Sequence, residues 1–192
     1  MYNSAIVVLS SIVYTFASSY DQCSCPCFKV PTLPVGLEEL RCYAPLYSQA
    51  ASVNSSEANT IDSVCLFLNA TNIADNALWQ LYNVFIDGSR LPRAGIQLPS
   101  TQTGCFDIVG PTRRYRDCVL GSPCEGTYVI YSCIQTESCM TDRSNAEVII
   151  ISTRMIECQE CIDKGIDIAL EIFPDLTFFV LPRESTNPCS DH

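Results

Sequence analysis

Cysteine is the residue type whose number and spacing could do chemistry in this chain. Thirteen of the 192 residues are cysteines, a density typical of proteins that form disulfides in an oxidising compartment. Because thirteen is odd, at most six pairs can form, and one thiol is left free or bonded to another chain. The connectivity does not follow from the sequence. The predicted disulfide positions are Cys23, Cys25, Cys27, Cys42, Cys65, Cys105, Cys118, Cys124, Cys133, Cys139, Cys158, Cys161 and Cys189.

One cysteine pair has the spacing of a redox motif. Cys158 and Cys161 form a C-x-x-C that follows a β-rich run and begins a helical pattern, and a helix N-terminus favours a reactive thiolate. The acidic neighbours Glu157 and Glu160 oppose that effect, and about 31 residues follow Cys161, too few for a thioredoxin-like sheet. Structural disulfides are therefore favoured, and a thiol–disulfide oxidoreductase is the weaker alternative.

Metal and hydrolytic chemistry find no support in the residue types present. Zinc sites favour paired ligands that often include histidine, and a serine or cysteine nucleophile needs a nearby base. The single histidine is His192, the last residue, which suits neither role. The sequence therefore predicts no catalytic residue, no metal site and no cofactor, and it does not predict an enzyme.

The N-terminus has the pattern of a secretory leader. The apolar run from Ala5 to Phe16 is too short to span a bilayer, and small residues precede a predicted cleavage after Ser19. We therefore predict a signal peptide over residues 1–19, with an uncleaved anchor as the alternative. The sequons at Asn54 and Asn69 predict N-glycosylation. Together these features predict a secreted, extracellular protein that does not span a membrane once the leader is removed.

The charge balance limits the classes of partner. A formal net charge of −10 argues against nucleic acid, because binding to phosphates requires clustered Lys and Arg. The one basic cluster runs from Arg113 to Arg116. It is interpreted as a solvated loop, and the alternative is a local contact for an anionic head group or an acidic partner.

The elements that would position these residues suggest an α+β fold. A proline-rich and cysteine-rich extension is predicted over residues 20–60, followed by a disulfide-stapled globular domain over 61–192. Leu78, Leu81, Tyr82 and Phe85 share one face of a 3.6-residue period, so a helix is predicted from about Thr60 to Phe85. Residues 88–126 are rich in proline and glycine and are expected to form turns and short extended pieces.

The C-terminal third predicts a small sheet with one packed helix. The β-branched and aromatic runs Thr127–Ser132, Glu147–Thr153 and Leu176–Leu181 predict strands. Between the second and third, the apolar periodicity predicts a helix over Cys158–Phe173. The spacing fits a parallel βαβ unit, and an antiparallel arrangement is equally allowed.

The segment Asn76–Ile96 resembles a known family. Leu78-Trp79, Asp87–Pro92 and Gly95-Ile96 are similar to a run in the cysteine-rich extracellular N-terminal domain of the nose-resistant-to-fluoxetine family, in which a cysteine, here Cys65, precedes a helix. The resemblance covers about residues 61–173, and it gives family positions to Cys105, Cys133, Cys158 and Cys161. The Cys158–Cys161 spacing and the additional cysteines depart from the family pattern.

The resemblance implies an extracellular role without the family's acyltransferase-like membrane region, to which any acyl-transfer chemistry belongs. The family is associated with uptake of lipids and hydrophobic drugs, so the first functional hypothesis is a secreted binding protein for a lipid or another small hydrophobic ligand. The alternative is a protein-interaction module, such as a secreted ligand or co-receptor ectodomain, and the odd cysteine allows a disulfide-linked dimer. The predicted ligand-pocket residues are Trp79, Tyr82, Phe85, Leu91 and Ile96. Their apolar side chains could line a pocket, although ordinary core positions are the favoured interpretation.

Overall fold

A β-barrel is the central feature of the computed structural model, which describes residues 27–52, 60–73, 75–111, 114–135, 147–184 and 188–189. The strands are β1 (Leu46–Ala51), β2 (Ile61–Ala70), β3 (Ala77–Phe85), β4 (Arg90–Pro99), β5 (Cys105–Val109), β6 (Arg114–Cys124), β7 (Thr127–Gln135), β8 (Glu147–Ser152) and β9 (Phe179–Val180), and the helices are α1 (Leu37–Cys42) and α2 (Gln159–Ile172). All pairings are antiparallel. Strands β1 to β8 close into a barrel because β1 pairs with both β8 and β2. The predicted α+β class with an N-terminal helical region is therefore wrong.

The predicted helix from Thr60 to Phe85 is wrong because both faces of this segment are covered. The segment forms the hairpin of β2 and β3, in which Leu66 and Leu68 pack inside the barrel while Cys65 and Phe67 pack outside it. When a strand is apolar on both sides, its residues also satisfy a 3.6-residue period, and the pattern cannot tell strand from helix.

The region expected to hold turns and short extended pieces instead forms three consecutive strands, two of them ten residues or longer. Residues 88–126 contain β4, β5 and β6, and the end of the basic cluster lies in β6 rather than in a loop. There the Arg116 guanidinium donates two hydrogen bonds to the Asp107 carboxylate on β5, at 2.7 and 3.1 Å. Proline and glycine within β4 and β6 conceal the strand pattern because both are rare in strands.

The C-terminal elements follow the sequence expectations more closely. Strands β7 and β8 and helix α2 occupy the predicted positions, and the sheet is antiparallel. Helix α2 packs on the outer face of the barrel through Ile162 and Ala169. Gly165 allows close approach, since a Cβ there would lie 3.1 Å from Cδ1 of Ile150. The third predicted strand shortens to β9, which pairs with β1.

One end of the barrel is closed by the chain that precedes β1. Leu37 and Leu40 of α1 are buried in the interior core, and the Leu33 amide donates to the Val119 carbonyl at 2.8 Å. Gly104 makes this crossing possible: its φ is +75°, and a Cβ there would lie 2.2 Å from the Leu33 carbonyl oxygen. Residues 27–52, assigned to the N-terminal extension by the sequence, thus contribute a plug and a barrel strand.

Four disulfides tie the described elements together. They join Cys27 to Cys133, Cys65 to Cys189, Cys105 to Cys118 and Cys124 to Cys161. Cys42 and Cys158 are free and exposed among the described residues. Cys23, Cys25 and Cys139 lie outside the described residues, as do the predicted signal peptide and Asn54.

Two further features bear on the predicted location. Asn69 is exposed on β2, where its side chain donates to Gln80 at 3.1 Å, so glycosylation there stays a prediction. Neither helix in the described part of the chain combines the length and the apolar character that crossing a bilayer requires.

Candidate functional site

The barrel wall has two faces whose side chains alternate along each strand. On β6, Tyr115 and Val119 belong to the interior core while Cys118 belongs to the outer cluster beneath α2. Asp117 lies two residues from both Tyr115 and Val119, and it is opposite the interior residue Phe106. Asp117 therefore faces the inside of the barrel.

The interior changes character along the barrel axis. Near α1 the inward side chains are buried and apolar, and they include Leu46, Leu66, Leu68, Ala77, Val119, Ile130 and Ile151. Towards the opposite end, which we call the mouth, inward positions are more exposed and more polar. We define this region as the upper inner wall, formed by Leu81, Asn83, Phe85, Leu91, Arg93, Tyr115, Asp117, Ser132, Glu147 and Ile149. Leu91 at the mouth is 46% exposed, whereas the seven inward residues named near α1 are at most 9% exposed.

The structure divides the predicted pocket residues between the two faces. Trp79, Phe85 and Leu91 occupy inward positions on β3 and β4. Tyr82 packs outside, edge-on to Phe67 at 5.8 Å and beside the Cys65–Cys189 disulfide. Ile96 also lies outside, opposite Leu78. Helical spacing placed Trp79 and Tyr82 on one face, but the two-residue period of a strand sends them to opposite faces.

Trp79 forms the floor of the upper inner wall. It is 8% exposed, and its ring stacks on Tyr115 with centroids 6.4 Å apart and planes 24° apart. Because it is the only tryptophan in the chain, its fluorescence reports directly on this part of the interior. A ligand that reached Tyr115 would change the environment of the indole.

A carboxyl group, that of Asp117, lies on the upper inner wall. Asp117 accepts a hydrogen bond from the Ser132 hydroxyl at 2.7 Å, and Ser132 lies opposite Glu147 at the start of β8. Burial raises the pKa of Asp117 to about 7, helped by the negative charges of Glu147 and Asp107 and opposed by the Ser132 hydrogen bond. Asp117 can therefore change its charge near neutral pH, inside the barrel.

Gln97 adds a second polar group on the inner face. It lies opposite Ala77 on β3 and Ile108 on β5, both of which belong to the interior core. Gln97 is 3% exposed, and its amide oxygen has no hydrogen-bond partner among the described residues. A buried acceptor without a donor is costly, so a donor supplied from outside the protein would be favoured there.

Sequence reasoning missed the polar half of this site. Tyr115, Asp117 and Val119 alternate with Arg116 and Cys118, a two-residue period that indicates a strand. That period would have identified Asp117 as an inward carboxylate had residues 114–124 been assigned as β6. Ser132 and Glu147 could not be linked to it without the register of β6, β7 and β8.

The C-x-x-C pair is not a disulfide in this structure. Cys161 is bonded to Cys124, and the Cys158 thiol lies 2.9 Å from the Cys161 sulfur. With Glu157 these two cysteines place three potential ligand atoms close together. A cysteine held in a disulfide is not a thiolate ligand, so this arrangement does not fit a metal.

A separate cleft of about 390 Å³ lies at the closed end, between α1 and the segment joining β4 to β5. Its walls include Glu38, Arg41, Asp75 and Phe106. The cleft is open to solvent, and Phe106 on its wall is an interior residue that lies opposite Asp117. The cleft therefore lacks the enclosure expected of a site for an apolar ligand.

The comparisons with known proteins bear on the fold. No protein-family model and no curated protein matches the chain, so the resemblance to the nose-resistant-to-fluoxetine family stays a prediction. Solved structures do match. Lipocalin 12 from rat epididymis shares 10% identity with a TM-score of 0.60, and the match covers 81% of this chain and 90% of that one.

Two further solved structures are similar to this chain in fold. The siderocalin Ex-FABP, described as functioning through dual ligand specificities, shares 14% identity with a TM-score of 0.59 and coverages of 75% and 96%. Lobster apocrustacyanin A1 shares 16% identity with a TM-score of 0.53 and coverages of 84% and 94%. The chain therefore has a lipocalin-like fold, an eight-stranded antiparallel barrel with a helix packed on its outer face.

Proposed function

We propose that this protein is a secreted carrier that binds a small hydrophobic ligand against the upper inner wall of its barrel. The proposal rests on the way the packing of the inward side chains changes along the barrel axis. Side chains near α1 are fully packed, whereas apolar side chains towards the mouth, such as Leu81, Tyr115 and Leu91, keep exposed surface. Eight-stranded barrels of this size can hold one small ligand.

The fold comparisons and the disulfides support the same proposal. A siderocalin and a crustacyanin subunit share this barrel, and four disulfides suit an oxidising extracellular environment. A ligand tail in contact with Tyr115 would replace water on apolar surface and gain roughly 25 cal/mol for each Å² buried.

Leu91 and Ile96 provide a matched test. Both lie on β4 with similar exposure, 46% and 39%, but Leu91 is an inward position and Ile96 an outward one. Titration with the neutral fluorescent probe N-phenyl-1-naphthylamine should show saturable binding to the wild type. Leu91→Glu should weaken that binding roughly tenfold, because a charge beside an apolar ligand loses hydration. Ile96→Glu should leave it unchanged.

Two results would reject the proposal. One is a wild-type protein that shows no saturable binding of the probe and no change in Trp79 fluorescence. The other is an equal loss of binding in the two variants, which would place the probe on the outer surface instead of inside the barrel.

A protein-interaction role is the second candidate, and it is favoured by a small outer patch. Ile96 and Val109 lie opposite each other on β4 and β5, at 39% and 37% exposure, with Leu78 beside Ile96 on β3. The exposed thiols of Cys42 and Cys158 would also permit a bond to another chain. A disulfide-linked dimer on a non-reducing gel would support this role, and a monomer whose thiols both react with iodoacetamide would count against the covalent form.

A further inference from the structure

Two hydrogen-bond acceptors on the inner wall receive one donor or none among the described residues. Asp117 offers a carboxylate that receives one hydrogen bond, from Ser132, among the described residues. The Gln97 amide oxygen receives none. Both groups face inwards on neighbouring parts of the wall, since Gln97 lies opposite Ile108 while Asp117 lies opposite Phe106 on the same strand, β5. A ligand that satisfied them would have to donate hydrogen bonds.

We propose that the barrel selects amphipathic organic cations, in which an apolar tail ends in a protonated amino group, and that Asp117 binds this group. The inference rests on the proposed function, because the tail must occupy the upper inner wall. An ammonium group has three N–H donors and no acceptor, so it complements the Asp117 carboxylate. A fatty-acid carboxylate would instead bring a further acceptor and a like charge.

Burial of Asp117 makes the match energetically significant. A carboxylate removed from water loses hydration that one hydroxyl donor does not replace. The effect appears as a pKa raised to about 7, with burial as its largest cause. A cation beside Asp117 would stabilise the ionised form through a charge-assisted hydrogen bond, which is stronger than a neutral one.

Gln97 is a second buried acceptor on the inner face. Its amide oxygen is enclosed by apolar interior residues and is not part of the Asp117–Ser132 contact. Gln97 lies opposite Ala77, at the level of the packed interior near α1, so the assignment of the ligand's ammonium group rests on Asp117.

The charged groups around Asp117 favour a cation. On β8, Glu147 adds negative charge, and on β7 the opposing residue is the uncharged Ser132. On β5, Asp107 faces outwards and is paired with Arg116. The one cation at an inward position among the described strand residues is Arg93 on β4, which is exposed.

The whole molecule reinforces this preference. Its formal net charge is −10, so the long-range field attracts cations and repels anions approaching the mouth. Arg93 is the feature that could reverse the preference by binding an acidic head group at the rim. The experiment must therefore compare head groups of opposite charge on one tail.

Dodecylamine, dodecanol and dodecanoate supply that comparison, because they share a tail and differ only at the head. Binding would be measured by Trp79 fluorescence and isothermal titration calorimetry, below the micelle concentration of each compound. We expect dodecylamine to bind roughly tenfold more tightly than dodecanol, and dodecanoate to bind more weakly than either. Dodecylamine affinity should rise between about pH 6 and pH 8, because Asp117 loses its proton there while the amine stays charged.

Two variants test the residue assignment. Asp117→Asn should reduce the affinity for dodecylamine to about that for dodecanol, and it should abolish the pH dependence. Asp167→Asn on the exposed face of α2 is the matched control, because it removes the same charge from the molecule without changing the interior. Glu147→Gln, which removes a neighbouring negative charge but not the proposed ammonium partner, should weaken amine binding by a smaller factor.

The outcomes separate this inference from the proposed function. Equal binding of all three compounds would leave a hydrophobic carrier in place and would refute cation selection. A preference for dodecanoate would overturn it in favour of recognition through Arg93. Failure of all three to bind would reject the proposed function as well. An unchanged preference for dodecylamine in Asp117→Asn would show that Asp117 does not bind the ammonium group. If that variant does not fold, the Glu147→Gln variant and the three compounds on the wild type test the selection of cations instead.

Discussion

Two buried carboxyl groups in this protein respond to their surroundings in opposite directions. Glu157 accepts hydrogen bonds from the hydroxyls of Thr127 and Ser152, at 2.7 and 2.8 Å, and from the Cys158 amide at 2.8 Å. Asp117 has one hydroxyl donor and negative neighbours. Burial raises the pKa of both groups, but the several donors around Glu157 outweigh it, whereas the single donor to Asp117 leaves its pKa at about 7.

The Glu157 cluster predicts a loss of stability on truncation. Burial alone would raise the pKa of Glu157, but the hydrogen bonds from Thr127, Cys158 and Ser152 and the charge of Arg154 lower it to about 2. Glu157→Ala should therefore cost about 2–4 kcal/mol of unfolding free energy in urea titrations, since it leaves buried hydroxyls unpaired. Glu160→Ala, which removes only an exposed pair with Lys164, should leave it nearly unchanged because solvent screens such a pair.

The same cluster predicts a pH dependence with a defined sign. The folded pKa of Glu157 lies below its ordinary value of 4.5, so its stabilising contribution is present above about pH 4.5 and is lost as the pH falls towards 2. Comparing urea midpoints of the wild type and Glu157→Gln across this range should show the difference shrinking with acid. A constant difference would contradict the assignment.

For Asp117 we expect the opposite pH dependence of stability. Its folded pKa of about 7 lies above the ordinary value of 3.8, so its contribution is fully present below about pH 3.8 and is lost as the pH rises to 7. Asp117→Asn should remove this loss and make the protein more stable than the wild type at about pH 8, by on the order of 2 kcal/mol. A shared pH profile for wild type and variant would show that Asp117 titrates normally.

At the scale of elements, Cys158 lies beside the Cys124–Cys161 disulfide. We therefore predict a substitute disulfide between Cys124 and Cys158 when Cys161 is removed. The Cys124–Cys161 disulfide ties helix α2 to the end of β6 across 37 residues, and a loop of this length contributes about 3–4 kcal/mol in the chain-entropy view. Cys124→Ala should lose this contribution. Cys161→Ala should lose less, because the Cys158 sulfur lies 2.9 Å from that of Cys161 and can pair with Cys124.

Peptide mapping of the Cys161→Ala variant measures this directly. The expected product is a peptide pair joined through Cys124 and Cys158. If both cysteines were found alkylated, and the two single variants were equally destabilised, the substitute bridge would be disproved.

The sequence correctly predicted elements that have one buried and one exposed face. It failed for strands that are apolar on both faces. Helix α2 has one buried face, with Ile162 and Ala169 against the barrel, and its period is clear. Strands β2 and β3 are apolar on both faces, so a helical period could be fitted to them. Strands β4 to β6 contain Pro92, Pro99 and inward polar residues, which conceal the alternation.

The site was predictable only in its apolar half. Trp79 and Leu91 stand out as large apolar residues in any fold, and both face the interior. The role of Asp117 depends on the register that sets it opposite Ser132, and this register depends on closure of the whole barrel. A local pattern cannot supply that information.

At the scale of the whole molecule, the four disulfides predict unequal contributions to stability. The Cys65–Cys189 bridge closes 124 residues, whereas Cys105–Cys118 closes 13. In the chain-entropy view the longer loop contributes about 2 kcal/mol more. Replacing Cys65 and Cys189 together by alanine should therefore lower the free energy of unfolding more than replacing Cys105 and Cys118 does.

Urea titrations of the two double variants, in the absence of reductant, make the comparison. Both variants remove two buried sulfurs that face the outside of the barrel, so the lost packing is similar. Equal midpoints, or a larger loss in the Cys105 and Cys118 variant, would show that local strain outweighs loop length.

The same spacing sets an order of events for a chain made from its amino terminus. Cys105 and Cys118 lie directly opposite each other in one hairpin and can meet as soon as that hairpin emerges. Cys27 must wait until Cys133 has been synthesised, and Cys65 until Cys189 has. Cys27 is therefore an open thiol, two residues from Cys25, while the next 106 residues are made. Where the surroundings are oxidising, the two cysteines can form a mistaken pair, which must be exchanged before Cys27 can bond to Cys133.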